Sequence, residues 1–141
     1  MAITLKQARE IIRVAFETGA AKGMNPLSVV VLDAGGNLQA FERSDGAAPG
    51  RFDIARGKAY GCVMLGIAGS AQMARAEAQA YFVAAAGGAF GGKMIPVPGG
   101  ILVRDETGAV IGAVGVTGDS SDNDAIAGKA GIEAVGLTAE I

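Results

Sequence analysis

The sequence predicts an α+β fold in which helices pack on an antiparallel sheet, and three observations carry that expectation. Two segments, from Ser28 to Glu42 and from Ile101 to Thr117, repeat one pattern of apolar run, Asp-containing glycine turn and second apolar run. Helical periodicity precedes, separates and follows these hairpins, so the order is α, ββ, αα, ββ, α rather than the strict β-α alternation of a doubly wound parallel sheet. With 141 residues, half of them apolar and 18% charged, the chain suits one globular domain over 1–141.

The first element is a helix from about Leu5 to Lys22. Thr4 and Gln7 form a capping box, and Leu5, Ala8, Ile11, Ile12, Ala15, Phe16 and Gly19 recur at three- and four-residue spacing. Gly23 and Pro26 end it. Ser28 to Asp33 is short, apolar and rich in valine, as a strand covered on both faces should be. Asp33-Ala-Gly-Gly-Asn37 supplies an Asp to cap a turn and a glycine for positive φ, and Leu38 to Glu42 returns as the partner strand.

Arg51 to Leu65 places Phe52, Ala55, Ala59 and Val63 on one helical stripe, and Ser70 to Ala86 is an alanine-rich helix, the two divided near Gly66 and Gly69. The stretch from Gly87 to Gly100 is the longest expected loop and the first place to look for a pocket edge. Ile101 to Val110 then repeats the Asp, Gly and apolar offsets of Asp33, Gly36 and Leu38, and Val110 to Thr117 pairs back. Ser120 to Asp124 offers N-caps for a final helix through Val135, which Gly136 ends.

Composition excludes several functions. There is no histidine, so a Ser-His-Asp or Cys-His apparatus, a His-ligated zinc and an imidazole relay are all ruled out. Cys62 is the only cysteine, which removes internal disulfides and CxxC motifs and fits a reducing cytoplasm. Twelve basic against 14 acidic residues, without a basic run, argue against nucleic acid as a partner. The N-terminal MAITLKQARE has no apolar region of the signal-peptide type, and no apolar stretch reaches the roughly 20 residues of a membrane span.

Five groups of residues carry the candidate chemistry. Glu42-Arg43-Ser44-Asp45-Gly46 sets a proton-transfer carboxylate, Asp45, beside an Arg43 clamp, although a solvated strand end and an ordinary Asp-Gly turn account for the same residues. Lys58, flanked by Arg51 and Arg56, lies among Ala55, Ala59, Gly61 and Cys62. There it is either a desolvated base or anion contact, or a lysine snorkelling to solvent. Tyr60 and Cys62 are weaker candidates, Cys62 reading as a small core residue. Pro98-Gly99-Gly100 and Gly115-Val-Thr-Gly118-Asp119 expose backbone N–H groups, and they equally suit turns and tight packing. Asp119, Asp122 and Asp124 lack the spacing of a calcium loop, so helix capping is preferred and no metal site is expected.

The motifs taken together resemble a known family. Val30-Val-Leu-Asp33-Ala-Gly-Gly36, Phe41-Glu-Arg-Ser-Asp45-Gly46-Ala47, Ile54-Ala55-x-x-Lys58-Ala59, Ile95-x-Val-x-Gly99-Gly100 and Gly112-Ala-Val-Gly115-Val-Thr-Gly118, with Asp124 downstream, look like the GlcG/HbpS family of haem-binding and haem-degrading domains. The C-terminal domain of PduO is similar. The resemblance spans nearly the whole chain and implies a profilin-like or roadblock-like fold with a five-stranded antiparallel sheet, assembled as dimers or larger homo-oligomers. Where the family often carries His after the Asp-Ala-Gly-Gly turn, Asn37 stands here.

Haem is therefore the implied cofactor, with axial ligation left to Tyr60, Cys62, Tyr81, Met24, Met64, Met73 or Met94, and with Arg51 or Lys58 for the propionates. A second reading needs no cofactor. In it an enzyme or binding protein acts on a carboxylate-bearing oxo or hydroxy compound in a catabolic pathway. Asp45 or Asp124 is the acid/base, Lys58 and Arg43 are the anion partners, and the Gly99-Gly100 backbone, with Gly118 nearby, closes the site. A third reading is a partner-binding module, since Ala/Gly-rich surfaces favour close packing of subunits.

Overall fold

The computed structural model describes residues 1–141. Its elements are α1 (Leu5–Ala21), β1 (Ser28–Asp33), β2 (Leu38–Arg43), α2 (Arg51–Leu65), α3 (Gly69–Ala78), α4 (Ala80–Ala89), β3 (Gly100–Arg104), β4 (Val110–Thr117), α5 (Ser121–Ala134) and β5 (Thr138–Glu140). The five strands form one antiparallel sheet in the order β2-β1-β4-β3-β5, the α+β architecture expected.

The capping box starts α1: the Gln7 N–H donates to Thr4 Oγ1 at 3.0 Å, and the Thr4 N–H donates to Gln7 Oε1 at 3.0 Å. The two hairpin turns are built alike. Asp33 Oδ1 accepts from the N–H groups of Gly35 and Asn37, and Asp105 Oδ1 accepts from those of Thr107 and Ala109. Each turn reaches the left-handed backbone region at a glycine, Gly36 at φ 81° and Gly108 at φ 84°. A bulge precedes each turn, at Val31/Leu32 and at Val103/Arg104.

Helices cover both sheet faces, so the central strands read as continuous apolar runs. On one face Val29, Val31, Ile101, Val103, Val114 and Val116 meet Ile11, Ile12 and Ile132 of α1 and α5. On the other face Val30, Leu32, Leu102 and Ala113 meet Ala55, Ala59 and Cys62 of α2. Phe52 and Val63 of the expected α2 stripe pack at the margin of this second cluster.

Glycines set how near α2 comes to the sheet. A Cβ on Gly115 would collide with the Ala55 carbonyl, and one on Gly100 with the Lys58 carbonyl. The far side of α2 is also closely packed, with Gly57 against Ile95 and Gly61 against Met94 and Gln72. α2 is therefore a sandwiched helix.

Two elements differ from the expectation. The alanine-rich helix is broken at Gln79, whose φ of −141° and ψ of 64° separate α3 from α4. The break lets Val83 and Ala86 turn onto Met94, and that burial outweighs the helical propensity of the surrounding alanines. The residue pattern also stops short of β5, a three-residue edge strand that the Arg104–Glu140 ion pair, at 3.1 Å, tethers to β3.

Candidate functional site

The convergence of charge in this fold lies where α2, the Pro98–Gly100 turn, the end of β4 and the start of α5 meet. Lys58, in the second turn of α2, extends across the edge of β4. Its Nζ donates to the Val116 carbonyl at 3.0 Å and to Asp124 Oδ2 at 3.0 Å. The other oxygen of Asp124 accepts from the Asp119 N–H at 3.0 Å. Lys58 is 3% exposed and Asp124 1%, so the two charges pair away from bulk water.

Local sequence explains each position. Ser120 caps α5, its hydroxyl accepting from the Asn123 N–H at 3.2 Å, and this puts Asp124 in the first helical turn, where a carboxylate suits the helix dipole. Asp119 is held in place by the Asn25 N–H at 3.0 Å and the Asn123 amide at 2.7 Å, and these bonds keep its carboxyl below the ordinary range. Ser120, rather than Asp119 or Asp124, is therefore the cap of α5; Asp119 ties the helix start to Asn25, and Asp124 is taken up by Lys58 and the Asp119 N–H. Arg51, the first residue of α2, donates to Thr117 Oγ1 at 2.8 Å.

Burial dominates the electrostatics of the pair. It pushes the Lys58 amine down and the Asp124 carboxyl up, and each shift is opposed by the partner's charge. Arg51 adds to the downward push on Lys58. On each group burial and the partner's charge thus act in opposite directions.

Gly99 roofs the pair. At φ 102° its Cα sits so near that a Cβ would lie 2.6 Å from the Val116 carbonyl oxygen and 2.9 Å from Lys58 Nζ. The Gly99 carbonyl in turn accepts from the Val116 N–H at 2.8 Å. On the outer side of Gly99 runs an open groove of about 320 Å³, edged by Ser70, Pro98, Asp122, Ala125 and Ile126. The Gly99 backbone is the partition between this groove and the ion pair.

The structure brings together Lys58, Asp124, Gly99 and Gly100, with Arg51 at the margin. Asp45 and Arg43 lie elsewhere. Arg43 ends β2, the edge strand, and Asp45 follows it, with β1 between them and β4, the strand that Lys58 crosses to. Arg43 donates to the Ala47 carbonyl at 2.8 Å, and Asp45 is exposed on a separate groove of about 180 Å³ beside Phe16, Met24 and Pro26. Gly118 packs on the Pro26 carbonyl, and Tyr60 lies half-buried under Gly36, edge-on to Phe90 with ring centres 6.5 Å apart. Cys62 is wholly buried, bonded to the Lys58 carbonyl and the Gln72 amide, and burial pushes its thiol up to about 12.

Residue-pattern reasoning did not single out Thr117 or the Val116 carbonyl. The signal was present in Gly115-Val-Thr-Gly-Asp119, since a strand ending beside a helix start presents both a hydroxyl and a free carbonyl.

Comparison with known proteins bears on the whole chain. The sequence pattern of the family described as haem degrading protein HbpS-like matches residues 3–133. No curated protein matches the chain in sequence. Among solved structures, HbpS is similar at 26% identity with a TM-score of 0.83, over 96% of this chain and 91% of that one. A double mutant of HbpS from Streptomyces reticuli is 28% identical with a TM-score of 0.80, over 96% and 88%. The PduOC:haem complex shares the fold over 100% of both chains, with a TM-score of 0.87 at 21% identity. On the match from residue 3 to residue 133, this chain belongs to the HbpS-like haem degrading protein family.

Proposed function

We propose that this chain is a haem- or tetrapyrrole-binding protein that holds its ligand without histidine. Family membership carries the reading, supported by the similarity to HbpS at 26% identity. The available donors fit such a group on the outside of the fold. Cys62 is enclosed and protonated, Met94 is 9% exposed, and Lys58 is committed to Asp124. Tyr60, Met24 and Met64 are half-buried, which leaves Tyr81, 74% exposed, and Met73, 37% exposed, as the most open phenol and thioether within the folded elements. Tyr81 lies in the first turn of α4, a helix with no charged side chain, so an oxygen donor stands beside apolar surface suited to a macrocycle. Haem would contribute its redox-active iron; Tyr81 or Met73 would bind and orient it.

A haemin titration followed by absorbance and size exclusion tests this reading, with a non-binding protein as control. A saturable, stoichiometric complex that co-elutes with the protein is expected. Uptake that never saturates, or matches the control, overturns it. Assembly into a homo-oligomer belongs to the same proposal, since Ala84, Ala85, Gly88 and Ala89 leave much of α4 smooth and exposed; sedimentation velocity measures it. A cytoplasmic setting accords with the unpaired Cys62. No helix is long and apolar enough to cross a membrane.

The buried ion pair favours a second reading, a cofactor-free enzyme of the isomerase, tautomerase or hydratase kind. In it Asp124 exchanges a proton with an oxo or hydroxy acid whose carbonyl Lys58 polarises, the Gly99 turn moving aside to admit it. Asp45 would serve only a ligand held in its own groove. Deuterium exchange beside the carbonyl of small 2-oxo acids, followed by NMR, should be accelerated by the protein and lost in Asp124→Asn. Absence of exchange across the series removes this reading.

A further inference from the structure

A third groove, of about 290 Å³, lies on the opposite side of α2 from the sheet, between that helix and the segment from Gly91 to Ile95. Arg56 and Lys93 bring two cations to it, and Asp53 brings the single carboxylate. Asp53 is mostly exposed and meets Arg56 Nη2 at 3.2 Å, an exposed i,i+3 pair of the weak kind. Lys93 has no acidic partner; its Nζ stands 5.5 Å from the centre of the Tyr60 ring. The Arg56 Nε–H is buried without any acceptor. In a chain of net charge −2 this groove carries a local excess of one positive charge.

The rest of the groove is apolar or bare. Ile54 and Ile95 provide hydrocarbon walls, and the positions where side chains of Gly91 and Gly92 would stand are open space. Both glycines take positive φ, 68° and 74°, so the loop is shaped to turn sharply there and leaves the entrance clear.

We propose that this groove binds a small carboxylic acid with an apolar body, of the size of benzoate or a branched-chain acid. The carboxylate would sit between Arg56 and Lys93, taking the place of Asp53 on the guanidinium and giving the Nε–H an acceptor after a small turn of the side chain. The hydrocarbon part lies against Ile54 and Ile95. The volume is at the small end of ligand pockets, roughly 300–1,000 Å³, which excludes extended ligands. This site is separate from the Lys58–Asp124 pair and does not rest on the haem reading.

Titration of the isotope-labelled protein with benzoate, followed by amide chemical shifts, tests it, with acetate and inorganic phosphate as comparison anions. Saturable shifts centred on Gly91, Gly92 and Lys93 are expected, with benzoate binding more tightly than either comparison anion. Lys93→Gln, an exposed change that leaves the packing intact, should weaken binding about tenfold, the equivalent of one charge-assisted hydrogen bond. Arg56→Gln should weaken it at least as much. Shifts that do not saturate, that centre elsewhere, that are unchanged in both variants, or that phosphate produces more tightly than benzoate overturn the proposal.

Discussion

Lys58 Nζ and Asp124 Oδ2 meet at 3.0 Å although the residues are 66 positions apart, and the contact ties α2 to α5 around the end of β4. A buried pair of this kind is costly to break from one side, because the survivor is left charged in a dry place. Lys58→Met and Asp124→Leu should each lower the unfolding free energy by about 3–5 kcal/mol. The double substitution should recover most of that loss, since an apolar contact replaces both charges. A urea-denaturation double-mutant cycle measures the coupling. Additive losses would show that the two side chains do not depend on each other.

Cys62 should behave as an inert core residue. Burial raises its thiol to about 12, so the thiolate that reacts with disulfide reagents is almost absent at pH 8. Labelling with a chromogenic disulfide should be negligible in the native protein and complete in denaturant. Rapid native labelling would mean that α2 opens away from α3.

The hairpin aspartates set the acid limb of stability. Asp105 is held below its ordinary value of 3.8, chiefly by the Thr107 hydroxyl and then by the Thr107 and Ala109 N–H groups. A carboxyl lowered in the folded state stabilises fully above pH 3.8 and loses that contribution as pH falls through the lowered value. Asp105→Asn should therefore lower the melting temperature at pH 6, and the gap to the unsubstituted protein should close as the solution is taken toward pH 2. Melting curves across that range decide it, and a gap independent of pH would contradict the linkage.

Much of this architecture is legible in the residues. Thr4 and Gln7 announce the start of α1, and the offsets Asp33, Gly36 and Asp105, Gly108 announce both turns, because these structures are made by side chains close in sequence. The break at Gln79 is not legible, since it depends on Val83 and Ala86 finding Met94. The site divides in the same way. Lys58 stands out as a cation among small residues, but its partner is chosen by the crossing of α2 over β4. The separation of Asp45 from Lys58 follows from strand order, which two similar hairpins leave open. Gly100 lines the groove beside Gly99 while also packing on the Lys58 backbone, whereas Gly118 lies against the Pro26 carbonyl.

Two glycine substitutions separate packing from chain entropy. At Gly115 an added methyl would be driven into the Ala55 carbonyl, which is helix backbone, with the buried Val30 side chain also in tight contact. Gly115→Ala should cost about 3 kcal/mol, the upper end for overpacking, because α2 must lift from the sheet and disturb Lys58 with it. At Gly88, inside α4, an added methyl meets nothing within 4 Å. Gly88→Ala should stabilise by about 1 kcal/mol through the lower backbone entropy of the unfolded chain and the better helix propensity of alanine. Chemical denaturation of the two variants should thus move the midpoint in opposite directions. If Gly88→Ala instead destabilised the protein only at concentrations where it self-associates, the bare surface of α4 would be needed for close approach of a second copy.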